Sequence, residues 1–323
     1  MSINEVRWLS ECGSTNAYAK EHFEEFGPVG AVYTTNQTAG RGRLGRSWVN
    51  AEGRALYYTA VIREPLAQPA TLPLLASLAV RDQLAQRYGV DCQIKWPNDL
   101  LLNGRKIVGI LCESVSYGFQ MQGRGIVCGI GINLAQPQSY FDAANLPNGT
   151  SLELQGAKVD LAADPQWLAE ALTDFGFDRP LYTFAREGFA PFRDEYKAAC
   201  VNLGRHVTFD LPGGGTGSGT AIDMDADGRL IVRTDSGEEK VSPAKSPSTA
   251  SMGPYKFSSI PAPLRAVRPR GRFSFSLRSL WKTRVSHGFP HMVFAGQRLW
   301  KTPAPKIPEG RGAFAPSAKR RRK

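Results

Sequence analysis

The stretch Cys92-Gln93-Ile94-Lys95-Trp96-Pro97-Asn98-Asp99-Leu100-Leu101-Leu102-Asn103-Gly104-Arg105-Lys106-Ile107-Val108-Gly109-Ile110-Leu111-Cys112-Glu113 decides the fold. A strand in this stretch meets Pro97, which has no N–H to give a ladder, so the strand bends or stops there. Asn98 and Asp99 stand at the break. A second strand over 100–102 turns at Asn103-Gly104, a strong short hairpin signal, and the return strand runs over 105–113. That hairpin brings Lys106 across from the break.

Working outward, residues 124–134 read as the next strand, and Gly125, Gly129 and Gly131 leave room on it for another backbone or a ligand. Upstream, Leu74, Leu75, Leu78, Leu84 and Tyr88 recur at helical spacing, which predicts a helix over 72–88. Strands are predicted over 6–9, 31–35 and 55–62. Ser14-Thr15-Asn16 lies between the first strand and a helical pattern, where a hydroxyl caps the helix or faces a ligand cleft. The strand over 31–35 runs straight into Gln37-Thr38-Ala39-Gly40-Arg41-Gly42-Arg43-Leu44-Gly45-Arg46-Ser47-Trp48. Glycine lets backbone N–H groups approach an anion, and arginine supplies fixed donor forks. Taken alone, this segment is either a solvated basic loop or a loop that closes over a planar anionic ligand with Trp48 available to stack.

Residues 167–188 and 191–200 read as helices. Short strands with Gly-rich and Asp227-Gly228 turns follow over 202–241 and predict a small barrel-like β domain. Charge then changes abruptly. Residues 245–323 hold 18 lysines and arginines against one acid, Glu309, which leaves 22 bases and 28 acids in residues 1–244. The overall net charge of +11 therefore belongs to a basic tail on a mildly acidic protein. The tail is rich in Pro, Ser, Arg and Lys and is expected to be disordered. The five cysteines, at 12, 92, 112, 128 and 200, include no Cys-x-x-Cys pair and read as reduced thiols. No apolar run spans a membrane and no secretory signal opens the chain, so a cytoplasmic protein without membrane partners is expected.

Ser14-Thr15-Asn16, the Gly-Arg-Gly-Arg-x-Gly-Arg-x-Trp segment, Lys95-Trp96-Pro97-Asn98-Asp99 with Lys106, and the strand ending at Asn133 together resemble the catalytic domain of the biotin protein ligases. The likeness covers residues 6–242. It implies an α+β fold: a mixed-sheet catalytic domain of the biotin/lipoate ligase, class II synthetase-like type over 1–201, and a small SH3-like β-barrel over 202–242. It also implies the reaction. Biotin and ATP give biotinyl-5′-AMP and pyrophosphate, and the biotinyl group then passes to a lysine of the biotin carboxyl carrier protein of acetyl-CoA carboxylase. Arginine forks and glycine N–H groups suit that chemistry, because two anions must be brought together and developing phosphoryl charge stabilised.

By this resemblance Ser14, Thr15, Asn16, Gln37, Arg41, Gly42, Arg43 and Lys106 bind biotin. Arg43, Arg46, Trp48, Asn98 and Asn133 bind ATP or the adenylate. Lys106, Arg43 and Asp99 are the catalytic candidates, with Arg43 holding the reactive adenylate and Asp99 helping the acceptor lysine. Mg²⁺ is implied by the ATP chemistry, with no ligand cluster legible. A monomer or homodimer is expected. Only about five residues precede the first strand, so specific DNA binding through the helix-turn-helix of the repressor-type members is not expected.

Two alternatives stand beside this reading. Lipoate and octanoate ligases share the fold and reaction type, but the Gly-Arg segment with Lys-Trp-Pro-Asn-Asp favours biotin. The basic tail could bind nucleic acid. Family members end the small β domain with a Gly-Glu-Val strand, whereas this chain passes from Val241-Ser242 into Pro243-Ala244-Lys245. A reading-frame shift there would make 243–323 an out-of-frame tail.

Overall fold

The computed structural model describes residues 5–211 and 214–243. In chain order these form β1 (Glu5–Trp8), α1 (Thr15–Glu21), β2 (Val29–Thr34), β3 (Gly40–Arg41), β4 (Ser47–Trp48), β5 (Ala55–Ile62), α2 (Leu72–Tyr88), β6 (Gln93–Lys95), β7 (Asp99–Leu102), β8 (Arg105–Tyr117) and β9 (Gly123–Asn133). There follow α3 (Gln138–Ala143), α4 (Asp164–Ala171), α5 (Arg179–Glu187), α6 (Arg193–Ala199), β10 (His206–Asp210), β11 (Thr216–Met224), β12 (Leu230–Thr234) and β13 (Gly237–Val241). The basic tail and the suspected frame shift lie outside the described residues, except for Pro243.

Seven strands make one mixed sheet in the order β1-β2-β5-β9-β8-β7-β6. The β1–β2 pair is parallel and the other pairs are antiparallel. The period-two alternation of a strand gives this sheet two unlike faces. One face presents Leu56, Tyr58, Ala60 and Ile62 of β5, Ile126, Cys128, Ile130 and Ile132 of β9, and Val108 and Ile110 of β8. These pack with Leu74, Leu75 and Leu78 of α2 in the main core. Helix α2 suits that role: Pro73 falls in its first turn, where no amide partner is lost, and Gly89 closes it in the left-handed region at φ 68°.

The opposite face is nearly bare at its centre. Register aligns Tyr57, Gly131 and Gly109 in one row, Thr59, Gly129 and Leu111 in the next, and Val61, Val127 and Glu113 in a third. Helix α1 lies on this face. Its Ala19 and the following Phe23 pack with Val61, Val127 and Val115. The glycine strand makes room for side chains and for a cavity: a Cβ at Gly125 would strike the Phe23 ring, one at Gly129 would strike the Asn16 amide, and Gly129 and Gly131 also line a cavity on this face.

The helix expected over 167–188 is broken. It runs as α4, a π-helical stretch over Leu172–Asp178, and α5. Pro180 lacks the N–H that would continue a regular ladder, and the wider turn precedes it. All five cysteines are free thiols. Among the described residues no helix is long and apolar enough to cross a membrane.

Strands β10 to β13 form a four-stranded antiparallel meander, the small C-terminal sheet of this fold. Trp96 is 3% exposed and joins the two sheets. Its backbone N–H donates to Asn202 Oδ1 (2.8 Å) and its indole N–H to the Gly228 carbonyl (3.1 Å). Lys197 pairs with Asp223 at 2.5 Å, and Gln68 Nε2 donates to Asp227 at 2.9 Å. Replacing Trp96 by Phe keeps an aromatic ring but leaves the buried Gly228 carbonyl without its donor. The expected loss is about 1–3 kcal/mol in urea unfolding. A stability within about 0.3 kcal/mol of the parent would mean that this bond does not hold the sheets together.

Candidate functional site

Every candidate residue named from the sequence lines one of two adjoining cavities on the bare face and its rim. Ser14, Thr15, Asn16, Gln37 and Arg41 line the inner one. Arg46, Asp99 and Asn133 line the outer one, whose volume is about 460 Å³. Gly42, Arg43, Trp48, Asn98 and Lys106 line both and so mark the junction.

Neutral polar groups, all buried, close the end of the inner cavity. Gln37 Oε1 accepts from the Thr15 backbone N–H at 2.9 Å and lies 3.1 Å from the Thr15 hydroxyl. The Thr59 hydroxyl is 2.8 Å from both Thr15 Oγ1 and Asn16 Oδ1. Asn16 Nδ2 donates to the Leu111 carbonyl (3.1 Å) and to Glu113 (2.8 Å). Burial pushes the Glu113 carboxyl up, but the Lys20 ion pair at 2.7 Å, the Asn16 amide and nearby Arg41 outweigh it and hold the carboxyl below its ordinary value. Ser14 occupies the N-cap of α1 without a side-chain capping bond, which leaves its hydroxyl to the cavity.

The expected irregular loop over 40–48 is a small hairpin. β3 and β4 pair antiparallel, Gly40 with Trp48 and Arg41 with Ser47, around a 3-10 turn over Arg43–Gly45. The Gly42 N–H donates to the Arg46 carbonyl at 2.7 Å. Glycine is required at 40, because a Cβ there would strike the Trp48 carbonyl and the Gln37 amide. The Trp48 indole lies on the sheet where Gly109 and Gly131 are paired. A Cβ at Gly131 would come within 2.7 Å of it, and one at Gly109 closer still. Trp48 therefore forms a partition between the cavities, with Lys106 Nζ 5.5 Å from its ring centre.

Cations crowd the junction and the outer cavity. Arg43, Arg46, Lys95 and Lys106 line the latter with a single carboxylate, Asp99. Lys106 Nζ stands 2.7 Å from Asp99 Oδ1. Its backbone is fixed independently, since its N–H donates to the Asn148 carbonyl and its own carbonyl accepts from Thr150. Arg43 reaches across to Asn98 Oδ1 at 3.1 Å and to the Pro243 carbonyl at 3.4 Å. Asn98 is itself held to β8 by Nδ2 donating to the Ile110 carbonyl at 2.9 Å. Burial lowers the Arg43 guanidinium below its ordinary value, against the pull of Asp99. Burial also lowers the Lys95 amine, and Lys106 and Arg46 add to that while Asp99 opposes it. Asn133 Nδ2 donates to the Thr150 carbonyl and its Oδ1 accepts from Gln136, so its amide braces the segment that follows β9.

Sequence reasoning missed several residues here. Lys95 was read only as part of a motif, although its position at the end of β6 beside the break is itself a signal. Thr59 and Tyr57 face the site through the alternation of β5. The outer wall from Tyr140 to Gly149 carried no periodic pattern to find it by. Tyr57 and Tyr140 both donate to the Val49 carbonyl, at 3.3 and 2.8 Å, and tie the end of the hairpin to that wall.

Substituting Gly131 by Ala should unseat Trp48 and loosen the hairpin. The measurable consequence is faster tryptic cleavage at Arg41, Arg43 or Arg46 relative to the parent protein. Equal cleavage rates would show that the glycine floor does not seat the hairpin.

Comparison with known proteins gives the chain's relatives. Residues 11–133 match the family described as Biotin/lipoate A/B protein ligase family, and residues 203–244 match Biotin protein ligase C terminal domain. The chain is 32% identical over 232 residues to the Bifunctional ligase/repressor BirA of Bacillus subtilis (strain 168), across 71% of this chain and 69% of that protein. It is 33% identical over 243 residues to the Biotin--[acetyl-CoA-carboxylase] ligase of Paracoccus denitrificans, across 73% of this chain and 98% of that one. Among solved structures, the biotin protein ligase from Aquifex aeolicus in complex with biotin and ATP superposes with a TM-score of 0.60 at 25% identity, covering 75% of this chain and 97% of the other.

Proposed function

Because the chain belongs to the biotin/lipoate protein ligase family, as a biotin protein ligase, we propose that its two cavities divide the work of an ATP-dependent ligation. Biotin lies in the inner cavity and the nucleotide in the outer. The product of the first step is biotinyl-5′-AMP, and the acceptor is a lysine of the biotin carboxyl carrier protein of acetyl-CoA carboxylase. The observation that carries this reading is the junction. Arg43 and Lys106 line both cavities, so a carboxylate from one side and an α-phosphate from the other would meet against the same two cations.

The chemistry follows from charge. A carboxylate and a triphosphate repel, and preorganised cations in a partly dry site offset that repulsion and stabilise charge that develops at phosphorus. Lys106 would turn from Asp99 to the reacting oxygens. One biotin carboxylate oxygen forms a bond to the α-phosphorus, the bond to the bridging oxygen breaks, and pyrophosphate leaves past Lys95 and Arg46. In the second step the acceptor amine attacks the acyl carbon and AMP departs. Asp99 is then the carboxylate beside the junction that can take the amine's proton. Arg43, braced by Asn98, would keep the adenylate in place until the acceptor arrives. Trp48 and the wall from Tyr140 to Gly149 would flank the adenine, and Asn133 would hold that wall.

Mg²⁺ fits this cavity as an ion carried in by the triphosphate. Among the described residues no three His, Cys, Asp or Glu side chains converge on a metal position. Mg²⁺ usually takes only one or two carboxylates, keeping waters and phosphate oxygens for the rest. Asp99 would be its protein ligand, and the ion would neutralise phosphate charge.

The test is transfer of labelled biotin to a biotin carboxyl carrier domain in the presence of ATP; absence of transfer by the parent protein would overturn the assignment. Lys106→Ala should lower the rate of biotin-dependent ATP–pyrophosphate exchange by about 100-fold or more. Arg43→Gly should instead release biotinyl-AMP, seen as biotin on bystander lysines. Retention of the adenylate by that variant would refute the role given to Arg43.

A further inference from the structure

Cys112 of β8 and Cys128 of β9 face each other across the large sheet. Both lie on the face beneath α2: Cys128 is 0% exposed in the main core, and the half-buried Cys112 packs against that core. The kind of pairing follows from a neighbour. Ile110 gives its N–H to the Asn98 carbonyl and takes the Asn98 amide on its own carbonyl, so both of its backbone groups point away from β9. Backbone groups alternate along a strand, so those of Cys112 point away from β9 as well, and Cys112 and Cys128 form a non-hydrogen-bonded pair. Facing residues in such a pair have Cα atoms about 4.5 Å apart, inside the range that a disulfide spans. Their Cβ atoms stand about 4.5–5.5 Å apart, whereas a disulfide holds them at about 3.8 Å. A bridge can form here, and forming it draws the two strands together by about 1 Å.

The same two strands floor the inner cavity on their other side. Leu111 and Gly129, each one residue from a thiol, are paired with one another and line that cavity, and the Leu111 carbonyl holds the Asn16 amide at 3.1 Å. Cys112 is approached from the flank of β8. Strand β7 pairs with β8 only as far as Asp99 with Gly109, and past Ile110 that flank carries no further strand among the described residues. We propose that Cys112 and Cys128 are an oxidative modification site, closed by a low-molecular-weight disulfide into a cross-strand bridge that impairs the inner cavity. The Cys112 thiolate attacks one sulfur of the external disulfide and expels half of it as a thiolate. The Cys128 thiolate then attacks the Cys112 sulfur and expels the other half. Two protein thiols are oxidised, the external disulfide is reduced to two thiols, and the two protons pass to them. Burial and the Cys128 thiol push the Cys112 thiol well up, with Glu113 adding to this and Arg43 opposing it, so closure is slow. A bridge that pulls on its strands is strained, and strained disulfides are the readily reduced ones, so closure is reversible. The bridge is independent of the ligand, while its effect on activity rests on the reading of the inner cavity as the biotin site.

The experiment incubates the full chain with oxidised glutathione, alkylates the remaining thiols and maps the tryptic peptides. Cleavage after Lys106, Arg124 and Lys158 puts Cys112 in peptide 107–124 and Cys128 in peptide 125–158. The expected product is these two peptides joined, lighter than their sum by two hydrogens. In the bridged protein, biotin-dependent ATP–pyrophosphate exchange at biotin below its KM is expected to fall about tenfold, since a shift of about 1 Å in a binding floor suffices for that. Dithiothreitol should restore it. Cys112→Ser should keep the parent's exchange and be indifferent to oxidised glutathione. No joined peptide, glutathione left on Cys112 alone, a loss of exchange that Cys112→Ser shares, or bridged protein within about twofold of the reduced form would each overturn the inference. The peptide map and the dithiothreitol reversal need no variant, so they decide the matter even if Cys112→Ser fails to fold. Exchange by the reduced parent reports on the ligase assignment, so the two can fail separately.

Discussion

Where Gly109 and Gly131 face each other across β8 and β9, the sheet carries no side chain, and the indole of Trp48 lies directly on its backbone. The site depends on that close approach. With ordinary side chains the face would be a second hydrophobic layer covered by a helix, like the face beneath α2. Instead α1 is set at one end, where Gly125 receives Phe23 and Gly129 receives Asn16, and the basic hairpin is set over the middle. The space between them becomes a cavity with a polar end, an aromatic partition and a cationic exit. Tyr57, at 2% exposure, completes the arrangement from the next strand, since its hydroxyl accepts from the Ala51 N–H and donates to the Val49 carbonyl.

The exit is electrostatically frustrated in the absence of anions. Four cationic side chains share one carboxylate there, and burial lowers the protonation strength of two of them, Arg43 and Lys95. Folding energy held against this repulsion would become binding energy for an anion, because the anion repays a desolvation that the protein has already borne. The polar end shows the same economy in neutral form. Its amides and hydroxyls are held by one another.

The small C-terminal sheet is tied to this site by Trp96. Trp96 follows the cationic Lys95 and precedes the bend at Pro97 that presents Asn98 and Asp99. Its two N–H groups donate to Asn202 and Gly228. The backbone that positions the junction residues is thus anchored from the far side by the small sheet, and the Pro243 carbonyl returns to Arg43 from the end of β13. A disturbance of the small sheet would reach the outer cavity along this path.

The sequence by itself determined the strands, the Asn103-Gly104 turn, α2 and the identity of the residues around the cavities, because alternation, helical spacing and turn chemistry are local properties of the chain. Residues 55–62 and 72–88 follow from their patterns to the residue. Only the tertiary structure decided what the glycines are for and that Lys106 pairs with Asp99. Each of those depends on register between strands distant in the chain, which no local pattern encodes. The hairpin over residues 40–48 shows the division most plainly. Its glycines and arginines announce a site for anions, but its two-residue ladder and the seat of Trp48 exist only because the floor beneath it has no side chains.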